Sequence, residues 1–155
     1  MSLEIGQLAP DFKLFNTQKK EVSLSEYRGK NVILLFFPFA FSGTCTIELC
    51  AMRDDIASYN NLNAVIFGIS NDSVFTMIKY KEAQKLSFEL LSDFNKTVSA
   101  TYESLYADFI FGTHGVTKRS AFVIDKHGKI QYKEILENAG LQPNYDNIKA
   151  CLAKI

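Results

Sequence analysis

Tryptophan is absent from this 155-residue chain, proline occurs three times, and cysteine occurs only at Cys45, Cys50 and Cys151. An odd set of three thiols does not make a closed disulfide framework, so the chain is not a stapled secreted fold; the thiols are either buried and reduced or reactive. Excess charge of either sign is also missing. The 17 basic residues balance 17 acidic ones, and arginine contributes only Arg28, Arg53 and Arg119. Nucleic acids and anionic membrane surfaces are recognised through a basic excess, so neither is an expected partner. The longest apolar run starts at Val32, is about ten residues long and carries Pro38 inside it, roughly half of what a membrane span needs. No basic start, apolar stretch and small-residue cleavage site opens the sequence, and the expectation is a cytoplasmic protein.

Repeats, low-complexity tracts and linker-like stretches are lacking too, which leaves residues 1–155 as one expected domain. Segments 12–15 and 22–24 are short candidate strands around the turn-like "NTQKK", and 25–28 fit a helical turn closed by Gly29. "NVILLFF" at 31–37 is apolar enough for a strand buried on both faces. A helix over 44–59 places Cys45, Leu49, Met52, Ile56 and Tyr59 on one stripe. Strands at 63–70 and 87–93 enclose a helix at 73–85, and a short helix fits 96–102. "FGTHGVTKR" reads as loop, 120–125 and 129–135 as a strand pair, and Pro143 as the start of a last helix burying Ile148, Cys151, Leu152 and Ile155. The pattern predicts an α/β fold with helices on both faces of one sheet, best matched by a thioredoxin-like arrangement with an N-terminal β-hairpin extension.

Cys45 falls in the first turn of the 44–59 helix, whichever of Ser42, Gly43 or Thr44 caps it. Unpaired backbone N–H groups and the positive end of the helix dipole gather there, and both favour thiolate over thiol. The same residue lies on the core stripe, where a small apolar side chain is equally at home. Position alone therefore leaves nucleophile and core thiol tied.

The stretch "FFPFAFSGTCTIELC" contains P-x-x-x-S-x-x-C, formed by Pro38, Ser42 and Cys45, which resembles the active-site motif of the peroxiredoxins, the AhpC/TSA superfamily. The immediate surroundings are similar to the AhpE-like one-cysteine branch, whereas Cys50 and "LCAMRD" resemble the two-cysteine BCP/PrxQ branch. "GQLAPDFKLFNTQKKEVSLSEYRGKNVILLFFP" is similar to the family's opening and "RSAFVIDKHGKI" to its closing strands. The resemblance implies a thiol-dependent peroxidase, without metal or organic cofactor, acting on hydrogen peroxide or small organic hydroperoxides. A thioredoxin-like or glutaredoxin-like dithiol would recycle it, and the chain would be a monomer or homodimer. Cys45 would be the peroxidatic thiolate, Ser42 would hydrogen-bond the peroxide, Pro38 would shield the sulfur and Arg119 would supply positive charge. Glu48 matches an acidic position common three residues after the cysteine. Serine in place of the commoner threonine at 42 keeps the hydroxyl.

Cys50 is then either the resolving thiol or a bystander on the helix flank. Five residues apart on an intact helix, the two Cα atoms lie about 8–9 Å apart, beyond the roughly 7 Å that a disulfide tolerates, so pairing requires the first turns to unwind. Cys151 fits a buried structural thiol. His114 and His127 sit in loops beside glycines, with no spacing suited to zinc. "YADFIFG" at 106–112 suits ordinary packing or a dimer contact equally. A disulfide oxidoreductase is disfavoured by the absence of C-x-x-C. A redox-relay or holdase protein on the same fold is the alternative of a different class, and it would bind without consuming peroxide.

Overall fold

The computed structural model describes residues 2–155. An N-terminal hairpin of β1 (Lys13–Asn16) and β2 (Glu21–Ser23) leads through a short 3-10 turn at Leu24–Tyr27 into β3 (Asn31–Phe36). α1 (Gly43–Asp54), α2 (Ile56–Asn61), β4 (Ala64–Ser70), α3 (Val74–Gln84), β5 (Glu89–Ser92) and α4 (Thr97–Thr101) follow. A second hairpin, β6 (Leu105–Phe109) and β7 (Thr113–Thr117), precedes β8 (Ser120–Ile124), β9 (Ile130–Ile135) and α5 (Tyr145–Ala153).

Seven strands form one mixed sheet in the order β2-β1-β5-β4-β3-β8-β9, with β3 at its centre, parallel to β4 and antiparallel to β8. Every residue of β3 is buried because both faces are covered. Ile33, Leu35 and Phe37 point into a core closed by Leu49 and Met52 of α1, Tyr59 of α2, Met77 and Tyr80 of α3, and Ile148 and Leu152 of α5. Val32, Leu34 and Phe36 point the other way, towards Val98 of α4, Tyr102 and the N-terminal residues Leu3, Ala9 and Phe12. The period-two alternation of a strand thus sorts one apolar run into two cores. Gly68 in β4 is required by close approach: a Cβ there would lie 2.7 Å from Leu90 Cδ2 and 3.3 Å from Phe37 Cε1, under Leu49 of α1.

The expected thioredoxin-like architecture, with its hairpin extension, is therefore present, while several local expectations are corrected. The helix expected over 44–59 is two helices that break at Asp55, whose carboxylate accepts from Ser58 Oγ and pairs with Lys149 of α5 instead of leaving the backbone to continue. The core stripe survives the break, since Tyr59 is still buried. "FGTHGVTKR" is not a loop. Its middle five residues, Thr113–Thr117, are β7, paired antiparallel with β6, and Gly112 and Gly115, both at positive φ, disguise it by supplying turn geometry. Pro143 precedes the last helix, which Asn144 caps by accepting from the Asn147 amide. Cys151 is half-buried and Ile155 is exposed, so that helix buries only Ile148 and Leu152 of the expected stripe.

Candidate active site

β3 ends its pairing at Phe37, whose amide donates to Ile69 O at 2.9 Å, and Pro38 then has no N–H to continue the ladder. The loop that follows is held by Asp72, just beyond β4: its Oδ2 accepts from the Ala40 amide at 2.7 Å and from Ser70 Oγ at 2.6 Å. Phe41 adopts a left-handed backbone, φ 68°, and packs its ring on Tyr80 with centroids 4.9 Å apart. Ser42 is the N-cap of α1. Its carbonyl accepts from the Thr46 amide at 3.0 Å, while its hydroxyl donates to Phe39 O at 2.8 Å and does not cap the helix. The first-turn amides of Gly43, Thr44 and Cys45 consequently find no acceptor among the described residues.

Cys45 is fully buried and faces Arg119, 74 positions later and immediately before β8. The guanidinium is held at three points: Nε donates to Ala139 O at 2.8 Å, Nη1 to Glu48 Oε1 at 2.7 Å and Nη2 to Cys45 Sγ at 3.1 Å. Burial alone would lower the Arg119 pKa, but Glu48 and Cys45 outweigh it and hold the group above its ordinary value. Burial pushes the Glu48 carboxyl from 4.5 up to about 7, although Arg119 pulls it down. Glu48 is fully buried, and its Oε2 has no partner among the described residues.

A cleft of about 620 Å³ opens over this cluster, walled by Pro38, Phe39, Ser42, Phe109, Arg119 and Gly140. Cys45 and Glu48 are not on its wall, but Arg119, which is, bonds to both. A groove of about 690 Å³ lies elsewhere, between β1, the start of α3 and α4. Its carboxylates, Asp11 and Asp93, are spent on backbone amides, so it offers no comparable chemistry.

Pro38, Ser42, Cys45, Glu48 and Arg119 are thus brought together, and Cys50 is not. Cys50 is half-buried on another flank of the intact α1, its Sγ 3.5 Å from Gln84 Oε1. α1 is further stitched to α3 by Thr46 Oγ1 to Tyr80 Oη at 2.9 Å and by Arg53 Nη1 donating to Gln84 O at 2.6 Å. Cys151 contacts Gln131 O at 3.6 Å, away from the cluster. His114 is exposed and bonded to Asp108 at 2.7 Å, and His127 is exposed in the β8–β9 turn. No group of three metal-ligating side chains occurs among the described residues. Sequence reading missed Ala139, which steadies Arg119, and Asp72, which steadies the loop. The first acts through a backbone carbonyl, which no side chain advertises, and the second is one aspartate in an ordinary strand-to-helix turn.

The AhpC/TSA family model matches residues 5–133. Peroxiredoxin Bcp of Bacillus subtilis is 38% identical over 131 residues, covering 84% of this chain and 83% of the relative. Among solved structures, peroxidoxin BcpB from Mycobacterium tuberculosis superposes with a TM-score of 0.86 at 29% identity, covering 99% of this chain and 98% of the other. AhpC of Enterococcus faecalis gives a TM-score of 0.87 at 25% identity, covering 99% and 92%.

Proposed function

Because the chain belongs to the AhpC/TSA family of peroxiredoxins, we propose that Cys45 is its peroxidatic thiolate, that Ser42, Pro38 and Arg119 serve the reaction at the sulfur, and that Cys50 resolves the product. The protein is a thiol-dependent peroxidase. The observation that carries the choice of Cys45 is its hydrogen bond from Arg119: of the three thiols, it alone accepts from a cation among the described residues.

The thiolate attacks the terminal peroxide oxygen, the S–O bond forms and the O–O bond breaks, leaving Cys45 as sulfenic acid. Ser42 Oγ, its own proton committed to Phe39 O, is free to accept from the peroxide O–H. Arg119 and the open first-turn amides stabilise the charge that grows on the departing oxygen. Pro38, buried on the cleft wall, keeps water from the sulfur. Glu48 acts behind them by holding Nη1 of Arg119.

Hydrogen peroxide needs little of a 620 Å³ cleft, and Phe39, Phe109 and Ile110 give that space an apolar side. Small organic hydroperoxides are therefore substrates alongside hydrogen peroxide. Resolution by Cys50 requires the start of α1 to unwind and to release Tyr80 and Gln84. The resulting disulfide is reduced by a thioredoxin-like or glutaredoxin-like dithiol. Exposed Phe41, Ile110 and Phe111 beside the cleft favour a homodimer over a monomer. Three unpaired thiols fit a reducing compartment such as the cytoplasm, and no described helix is long and apolar enough to cross a membrane. Residues 1–155 act as one domain built around the single seven-stranded sheet.

Single substitutions test the assignment. Cys45→Ser abolishes peroxide consumption, whereas Cys50→Ser and Cys151→Ser keep the first turnover. Consumption that survives Cys45→Ser overturns it.

A further inference from the structure

One cation serves two acids in the cluster. Arg119 donates to Cys45 Sγ at 3.1 Å and to Glu48 Oε1 at 2.7 Å, and all three side chains are withdrawn from solvent. Among the described residues, the ionisable groups close enough to act on the charge of Glu48, apart from Arg119, are Glu134 of β9, Tyr145 of α5 and Tyr80 of α3, with Cys45 on its own helix. Each of these is itself an acid, so none supplies a second positive charge. Glu48 Oε2 is buried and unpartnered. If Cys45 and Glu48 were both ionised, the cluster would hold an uncompensated negative charge in a low-dielectric interior. Two acids that share one counter-ion titrate as a pair, and the ionisation of one opposes that of the other.

Resting on the assignment of Cys45 as the attacking thiolate, we propose that Glu48 is its proton partner: it keeps a proton while the sulfur is anionic and releases it when the sulfur becomes a neutral sulfenic acid. The balance is Glu48–COOH + Cys45–S⁻ + ROOH giving Glu48–COO⁻ + Cys45–SOH + ROH, with one negative charge on each side. Sulfur loses two electrons, the O–O bond accepts them, and the proton released by Glu48 is equivalent to the one taken up by the departing RO⁻. The cluster therefore presents one anion to one guanidinium before and after the reaction. Reduction back to the thiolate returns the proton. Glu48 is off the cleft wall and acts through Arg119, so it is a charge-balancing, positioning residue that does not touch the peroxide. The upward push on its carboxyl by burial is in the direction this requires.

The test counts protons. Reduced protein in weak buffer at about pH 6.5 receives one equivalent of hydrogen peroxide, with an indicator dye reporting proton uptake and ultraviolet absorbance reporting thiolate loss. Wild type is expected to take up less than about half a proton per thiolate consumed, and Glu48→Gln about one. Equal uptake per thiolate in the two proteins overturns the proposal. A structural role for Glu48 would slow the reaction without moving this ratio. If Glu48→Gln does not fold, infrared difference spectra of the wild type decide. Loss of a protonated-carboxyl C=O band on oxidation, matched by a gain of carboxylate, supports the proposal, and no such exchange overturns it. Mass spectrometry of the same samples keeps the two layers apart: if Cys45 is left unoxidised, the assignment of the attacking thiol has failed, and the proton coupling falls with it.

Discussion

Replacing Arg119 by methionine removes the one cation bonded to Cys45 among the described residues while keeping an unbranched side chain about as long as the aliphatic stem of arginine. Two effects follow, and their sizes differ. An ordinary thiol with a pKa of about 8.5 is roughly 3% ionised at pH 7, so full ionisation raises the rate at most about thirtyfold. Nucleophilicity falls as a thiol becomes more acidic, which shrinks even that gain. Loss of a preorganised donor to the departing oxygen costs about 10²–10³ in rate. Arg119 already has Nη2 3.1 Å from the sulfur and is fixed by Glu48 and Ala139, so it needs no reorganisation to act in the transition state. Stopped-flow single turnovers with hydrogen peroxide are followed across pH until each protein reaches its plateau, where ionisation is complete and only the second effect is left. Arg119→Met is expected to lie about 10²–10³ below wild type on that plateau. The substitution also leaves Glu48 Oε1 without its donor, a loss of about 1–3 kcal/mol, so the same comparison is made in a Glu48→Gln background. Coincident plateaus would show that Arg119 acts only by ionising the thiol, and the transition-state account would be refuted.

Other outcomes follow from the same geometry. Cys50→Ser is expected to keep the first oxidation of Cys45 and to lose thioredoxin-supported turnover; unchanged turnover removes Cys50 from the cycle. Gln84→Ala frees Cys50 from its side-chain contact with α3, and loss of about 1 kcal/mol there speeds closure of the Cys45–Cys50 disulfide about fivefold, read by quenched-flow alkylation. Asp72→Ala leaves the Ala40 amide and Ser70 hydroxyl without their acceptor, lowering stability by about 1–3 kcal/mol and, by loosening the loop before Ser42, lowering the single-turnover rate about 10–100-fold. An unchanged rate at lowered stability would show that the loop does not position the site. Because the Glu48 pKa is raised to about 7, the folded state holds a proton that the unfolded state gives up near 4.5, and stability is lost as pH rises through that window. Relative to wild type, Glu48→Gln is therefore expected to gain roughly 3 kcal/mol between pH 4 and pH 8 in denaturant titrations, and a constant difference contradicts the shift.

The fold and the site were unequally legible. The run from Val32 to Phe37 announces a strand buried on both faces, and the spacing of Leu49, Met52 and Tyr59 announces a helix against it, because burial stamps its period on the sequence. The break at Asp55 left no such mark, since it depends on Lys149, distant in the chain, pairing with that carboxylate. β7 was hidden by Gly112 and Gly115, which supply turns within and beside a hairpin but look like loop signals in a list of letters. Around the thiol, Pro38, Ser42 and Cys45 are close in sequence and speak together. Arg119 joins them only through the pairing of β3 with β8, which sets Phe36 opposite Ser120. Its third anchor, Ala139 O, is backbone and has no residue-type signature. The full burial of Glu48 was equally unmarked, because a glutamate on a helix reads as solvated until a buried cation is found opposite it.

Mass spectrometry of the fully reduced protein after one equivalent of hydrogen peroxide tests the central assignment most directly. The oxygen is expected to land on Cys45 as trapped sulfenic acid, which passes with time into a Cys45–Cys50 disulfide while Cys151 stays reduced. First oxidation at Cys50 or Cys151, with Cys45 still a free thiol, would contradict it.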